Sequence, residues 1–337
     1  MLSTFLASPR ALAWTTVLLW AFGAVGGKIM AFHSGAGLFL LSTFCTFLTF
    51  QIGARLITGS WVSVSAREIL APIGIISSFG YGWYWLFYGG SFRHTPVAAL
   101  SAALNYTWPL FTAIFSALLF SQRTGSPVDR QPSEMSEEYG PPANTSTRLE
   151  RAVLLIGMAL GAVAVALVLF SVSPTSLGDL PWIAVALGLA AGAAYGFYSA
   201  FSSTISADQQ FRFLVLSSIS GMLVLLPFSL PELGSLHEVP PLSLAITILF
   251  GIVMDGVGYF VWTRAVAEAR RQAIPIEKVT SIIYLLPVLS VIIIQAVFPA
   301  PDINLVLGLS GIALLSFSSA LCQKPEIASR FFKRYRV

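Results

Sequence analysis

The sequence predicts an all-α integral membrane protein: ten transmembrane helices, forming two inverted five-helix repeats around a central cavity. Composition is the first ground for this. Of 337 residues, 56% are hydrophobic and 10% charged, whereas a soluble domain carries about 25% charged residues. That is too little charge to coat a globule, and the mean hydropathy of +0.79 points to lipid as the solvent. Spacing is the second: apolar runs of about 20 residues, each long enough to cross a bilayer as a helix, recur along the chain. A repeated motif is the third. Tyr106 and Pro109 recur as Tyr284 and Pro287, and the same offset carries Gly80 to Gly258, Tyr81 to Tyr259 and Arg93 to Arg271. Several matches at one offset argue for a duplicated unit.

Taken in order, the expected spans are roughly 11–32, 37–58, 69–91, 96–120, 152–171, 180–204, 212–230, 242–266, 274–298 and 303–321. The first follows Arg10 and carries Trp20; its length and the spans behind it mark a retained helix rather than a cleaved leader. Between the fourth and fifth runs lies the polar stretch Gln122 to Glu150, rich in Pro, Ser, Thr and Glu and expected to be a mobile cytoplasmic loop. The predicted organisation is a first repeat over 11–171, which includes loop 122–150, a second over 172–322, and a basic tail over 323–337. With the N-terminus inside, nearly all Arg and Lys fall on cytoplasmic segments, leaving Arg93 outside and Lys28 near the outer end of the first helix. The expectation is a multi-pass plasma-membrane protein with both termini cytoplasmic. Because each unit has an odd number of spans, the second runs opposite to the first. Gly157 with Gly161, and Gly188, Gly192 and Gly196, are spaced for close helix contact. The small-residue fifth and tenth helices read as scaffold on the lipid side or as a homodimer contact.

Several function classes drop out. The net charge of +4 is spread between apolar runs, so nucleic acid is not an expected partner. Cys45 and Cys322 form neither a disulfide framework nor a metal spacing, and His33, His94 and His237 fall between spans. No phosphate loop, nucleophile elbow or HExxH pattern occurs, so no cofactor, metal or enzymatic activity is expected. The expected partners are a small-molecule solute and the bilayer.

Candidate binding residues lie where polar groups interrupt the apolar runs. Pro109 lacks an N–H and crowds the carbonyl four residues back, which belongs to Asn105. Ser101, Asn105, Trp108, Thr112 and Ser116 share one helical face. That face reads either as a cavity wall or as a kinked packing helix whose Asn bonds to a neighbour. Tyr81 and Tyr84 on the third span, Tyr195 on the sixth, Tyr259 and Trp262 on the eighth and Tyr284 on the ninth pair an apolar body with a polar handle. Asp255 is the one acidic residue well inside a span; it could meet a substrate amine, hold a proton or pair with a nearby cation. Lys28, Asp255 and Glu277 are candidates for gating or coupling, although Lys28 and Glu277 also suit the dipoles of their helix ends. Pro109 and Pro287 are candidate hinges.

Ten helices in two inverted halves, Trp20 leading to Lys28, and proline in the fourth and ninth helices together resemble the EamA-type drug/metabolite transporter superfamily. Asn105-Tyr106-x-Trp108-Pro109, Tyr259-x-x-Trp262 and Tyr284-x-x-Pro287 look like the aromatic amino-acid exporter branch. The resemblance covers the chain apart from 122–150 and the tail. It implies a cavity among helices one to four and six to nine, with five and ten peripheral, and efflux of amino acids or related metabolites. The loop after helix four, Glu277, Arg264 and Asp255 depart from the branch pattern. The alternatives are an organic-phosphate or nucleotide-sugar antiporter and, in another class, a non-transporting membrane scaffold or receptor.

Overall fold

The structure, a computed structural model, describes residues 8–33, 35–115, 118, 148–171, 181–202, 204–205, 209–272, 281–300 and 304–323. Most of loop 122–150, Ser116, Glu277, the side chain of Tyr284 and the tail beyond Gln323 lie outside the described residues. Among the described residues there is no strand.

The chain opens with α1 (Pro9–Ala21) and α2 (Gly23–His33). Ser8 caps α1 by accepting from the Ala11 N–H, and Pro9 stands at the first position, where its missing donor costs nothing. Next comes α3 (Ala36–Thr58), ended by Gly59 in the left-handed region at φ +75°. The short α4 (Ala66–Leu70) carries a capping box: Ser65 accepts from the Glu68 N–H, and Glu68 accepts from the Ser65 N–H. The segment expected as the third span consists of α5 (Pro72–Ser77), a 3₁₀ turn (Ser78–Gly80) and α6 (Gly82–Arg93). The fourth is broken into α7 (Ala98–Asn105) and α8 (Trp108–Phe115) at the place Pro109 predicts.

The rest comprises α9 (Arg148–Ser171), α10 (Trp182–Ser202), α11 (Gln210–Leu233), α12 (Pro241–Leu249), a π-helix (Phe250–Val257), α13 (Gly258–Arg271), a 3₁₀ turn (Ser281–Leu285), α14 (Leu286–Val297) and α15 (Leu305–Gln323). Among the described residues, five helices are long and apolar enough to cross a membrane: Pro9–His33, Ala36–Thr58, Trp182–Ser202, Gln210–Leu233 and Pro241–Trp262. The remaining expected spans appear as shorter or broken apolar helices. Proline accounts for two of the breaks, at Pro109 and Pro287. Large apolar side chains such as Leu18, Leu56, Ile75, Leu155, Leu242 and Val306 face outward, as lipid-facing helices do.

Helices pack in pairs: α9 on α15, α3 on α11, α6 on α10, α1 on α13 and α7 on α14. Glycine seams set several of these contacts. Gly188, Gly192 and Gly196 bring α10 against the broken α7–α8 helix; a Cβ on Gly192 would stand 2.2 Å from Thr107 Oγ1 and one on Gly196 2.5 Å from Phe111 Cβ. Gly157 and Gly161 face α15, where Ser318 Oγ donates to the Gly157 carbonyl at 2.6 Å.

The sequence offset also has a spatial counterpart. A Cβ on Gly80 would meet the Tyr198 ring at 2.6 Å, and a Cβ on Gly258 would meet Trp20 Nε1 at 2.6 Å. Trp20 and Tyr198 stand at the same offset as Gly80 and Gly258.

Ion pairs tie both ends of α11 to the first half of the chain. Arg212 binds Glu68 at 2.6 Å, and Glu232 binds Arg93 at 3.0 Å. Backbone and hydroxyl donation from Ser65, with Arg212 beside it, holds the Glu68 carboxyl down at about 2.

Candidate functional site

The cavity forms where α1, α6, α7, α10 and the π-helix converge. Each wall follows from a local rule. Pro109 stops α7 from running into α8, and the turn at Tyr106–Thr107 is held by Thr107, whose Oγ1 donates to the Leu104 carbonyl at 2.7 Å. The break leaves Asn105 and Trp108 lining the cavity. Asn105 Nδ2 donates to Tyr84 Oη at 3.3 Å, while its Oδ1 is buried without a hydrogen-bond partner. Trp108 meets the Tyr195 ring edge-on at 5.2 Å, and Tyr195 accepts a hydrogen bond from the Tyr259 hydroxyl.

The π-helix supplies the opposite wall. Its widened turn loosens the normal ladder, and side chains of neighbouring helices serve its carbonyls. Trp20 Nε1 donates to Met254 O at 3.0 Å, and Thr46 Oγ1 donates to Gly251 O at 3.0 Å. Asp255 lines the cavity from this turn, 6% exposed, with Oδ2 lacking a hydrogen-bond partner. The Trp85 indole approaches the carboxylate without reaching hydrogen-bond geometry. Among the described residues no Lys, Arg or His lines this cavity.

The cavity has a volume of about 60 Å³. At roughly 10–15 Å³ for each water, that admits a few waters or one small head group, not a whole amphipathic solute. Unpartnered polar atoms from three elements converge on it: Asn105 Oδ1, Trp85 Nε1, Tyr88 Oη and Asp255 Oδ2.

Of the residues predicted from sequence, Asn105, Trp108, Tyr84, Tyr195, Tyr259 and Asp255 line the cavity together. Tyr81 does not: it is 1% exposed, packed against Phe50, Tyr198 and Tyr259 behind the wall. Trp262 stands 6.1 Å from Trp20, outside the lining. Ser101 belongs to a helix contact, its Oγ accepting from Ser91 Oγ at 2.8 Å. Thr112 bonds back to the Trp108 carbonyl. Lys28 also lies elsewhere. Its Nζ donates to the Phe92 and Thr95 carbonyls at 2.9 and 3.2 Å, closing the C-terminal end of α6 beside a separate hollow lined by Arg93 and His94.

Trp20, Trp85, Tyr88, Tyr106, Phe250 and Met254 also line the cavity, although none was a binding candidate from the sequence. Trp85 shares a helical face with Tyr84, and Tyr106 belongs to the repeated Tyr-x-x-Pro motif, so both carried a signal. Phe250 and Met254 reach the cavity through the π-turn, which no 3.6-residue periodicity reveals.

No family model and no curated protein matches the sequence. The chain is similar over its whole length to a solved structure described as "Crystal structure of protein", at 18% identity, 98% coverage of each chain and a TM-score of 0.52. At that identity the likeness concerns the fold alone.

Proposed function

We propose that the protein is a membrane transporter that exports small amphipathic metabolites, amino acids among them, by alternating access between two inverted five-helix units. The observation that carries this reading is the central cavity itself. It is lined by aromatic rings, and it gathers unpartnered buried polar atoms that a solute or water can satisfy. In lipid such atoms are costly unless something partners them.

The helix pairing supports the repeat. Exchanging each helix for its counterpart five spans on turns the α1–α13 contact into the α10–α6 contact and returns α3–α11 and α9–α15 to themselves. The matched seats of Gly80 on Tyr198 and Gly258 on Trp20 point the same way. The cavity is contracted, so admitting a solute requires the walls to part. The breaks before Pro109 and Pro287 are the hinges at which they do so. The α9–α15 pair stands outside this movement as a scaffold and a surface for a second copy. Among the described residues no basic side chain joins the lining, which argues against an organic-phosphate or nucleotide-sugar antiporter, whose anionic solutes need one.

The test is uptake of a panel of radiolabelled amino acids into proteoliposomes. Wild-type protein gives saturable uptake of at least one, and Asn105→Ala or Trp108→Ala removes it while inserting normally. Unchanged transport by both inserted variants, or no transport by the wild type, overturns the reading.

A further inference from the structure

We infer that the cavity selects the cationic head of its solute: Asp255 is the counter-charge and the surrounding rings form the cage for an organic ammonium group. This rests on the reading of the cavity as a solute site and specifies what enters it.

A carboxylate deep in a span needs a proton or a cation to neutralise it. Among the described residues none supplies that cation. Lys28 is committed to the carbonyls of Phe92 and Thr95. Arg93 and Arg212 are paired with Glu232 and Glu68, and Arg264 with Glu268. Asp255 therefore faces the cavity with Oδ2 unpartnered, and among the described residues it has no ion pair.

What surrounds it favours an organic cation over a hydrated metal ion. Trp20, Tyr84, Trp85, Trp108, Tyr195 and Tyr259 line the same space. Trp20 lies 4.8 Å from Tyr259, and Tyr84 lies 4.7 Å from Trp85 and 5.2 Å from Tyr195, so the rings form a continuous wall. Ring faces attract alkylammonium groups, whereas among the lining's oxygen atoms Asp255 alone carries the charge that a hard metal ion requires. The volume of about 60 Å³ suits a head group rather than a whole solute.

The same lining discriminates against carboxylates. A solute carboxylate finds only neutral donors here, such as the Trp85 N–H and the Tyr88 hydroxyl, and meets Asp255 as a like charge. The expected order is amine, then zwitterion, then acid.

The experiment uses three solutes that share one phenyl ring and differ in head group: 2-phenylethylamine, phenylalanine and 3-phenylpropionate. Binding to the full chain in detergent at neutral pH is followed through tryptophan fluorescence, since Trp20, Trp85 and Trp108 line the cavity. The amine binds at least about tenfold more tightly than phenylalanine, and the acid does not compete. Asp255→Asn, which keeps the side-chain shape, weakens amine binding by about 100-fold. Tighter binding of the acid or the zwitterion, or an unchanged amine affinity in Asp255→Asn, overturns the inference. Should that variant fail to fold, the wild-type order of the three solutes decides. Uptake into proteoliposomes separates this inference from the transport reading. Phenylalanine carried while the amine is neither bound nor carried removes the ammonium site and leaves carriage intact. An amine that binds in the predicted order but is never taken up removes carriage and leaves the site intact.

Discussion

Around Gly80 and around Gly258 the chain solves one packing problem twice and then does opposite things with the backbone beside it. Each glycine admits a ring from a neighbouring helix, Tyr198 in one case and Trp20 in the other. Before Gly80 the helix tightens into a 3₁₀ turn; before Gly258 it widens into a π-helix. On the tight side the hydroxyls of Ser77 and Ser78 bond locally, to Gly74 O and Ile75 O at 2.7 Å each. On the wide side Trp20 and Thr46 reach in to serve the carbonyls, and Asp255, at the offset position of Ser77, is left without a partner for Oδ2. The matched glycines fix where helices meet. The local turn type decides what this matched pair of positions presents: a locally bonded hydroxyl at Ser77 and an unsatisfied carboxylate oxygen at Asp255.

The largest effects are expected at the two glycines. Gly80→Ala and Gly258→Ala each place a Cβ about 2.6 Å from a ring atom and should each cost about 1–3 kcal/mol by overpacking, read as a lower unfolding temperature in detergent. A large loss for one and none for the other would show the seats to be unrelated. Next come the hydroxyls. Thr46→Val leaves the Gly251 carbonyl without its side-chain donor, at a cost of about 1–3 kcal/mol, with faster amide exchange over Phe250–Val257. Ser77→Ala loses only a bond within its own turn and should cost less than about 1 kcal/mol. Equal costs would remove the distinction between the tight and wide turns.

A smaller effect on stability, with a larger one on rate, is expected at the hinges. Pro109→Ala and Pro287→Ala should each change stability by less than about 1 kcal/mol yet slow solute uptake, by letting the broken helices become continuous. Unaltered uptake would mean that the breaks do not act as hinges.

The smallest effect concerns the pair that ties α11 to α4. Glu68 has a folded-state pKa of about 2, below its ordinary 4.5. A depressed carboxyl contributes stability above its unfolded value and loses it as pH falls. The Glu68 contribution should therefore be complete above pH 4.5 and fade towards pH 2. Glu68→Gln should flatten the acid limb of the stability curve, and an unchanged limb would show that the bonds from Ser65 and Arg212 to this carboxylate contribute nothing.

Much of this was legible in the sequence, for identifiable reasons. Apolar run length marked the helices, and Pro109 marked both the break and the cavity position of Asn105 and Trp108. Tyr84, Tyr195 and Tyr259 were visible because rings with hydroxyls recurred on otherwise apolar faces. What was not legible depends on turn type. Tyr81 follows a 3₁₀ turn with φ −128° and ψ −37°, and its ring packs on Phe50 and Tyr198 rather than in the cavity. Trp262 would share a face with Asp255 in a uniform α-helix, but the π-turn before Gly258 alters the register, and the ring lies by Trp20. Phe250 and Met254 enter the lining through the same turn.

The proposed alternating access requires the cavity to open in turn to each side of the membrane. Ala24 lines the cavity at 1% exposure, so Ala24→Cys in a background lacking Cys45 and Cys322 reports on it directly. In sealed vesicles, a membrane-impermeant thiol reagent applied to either face should label this cysteine, and bound solute should protect it. Labelling from one face alone, or from neither, would contradict alternating access.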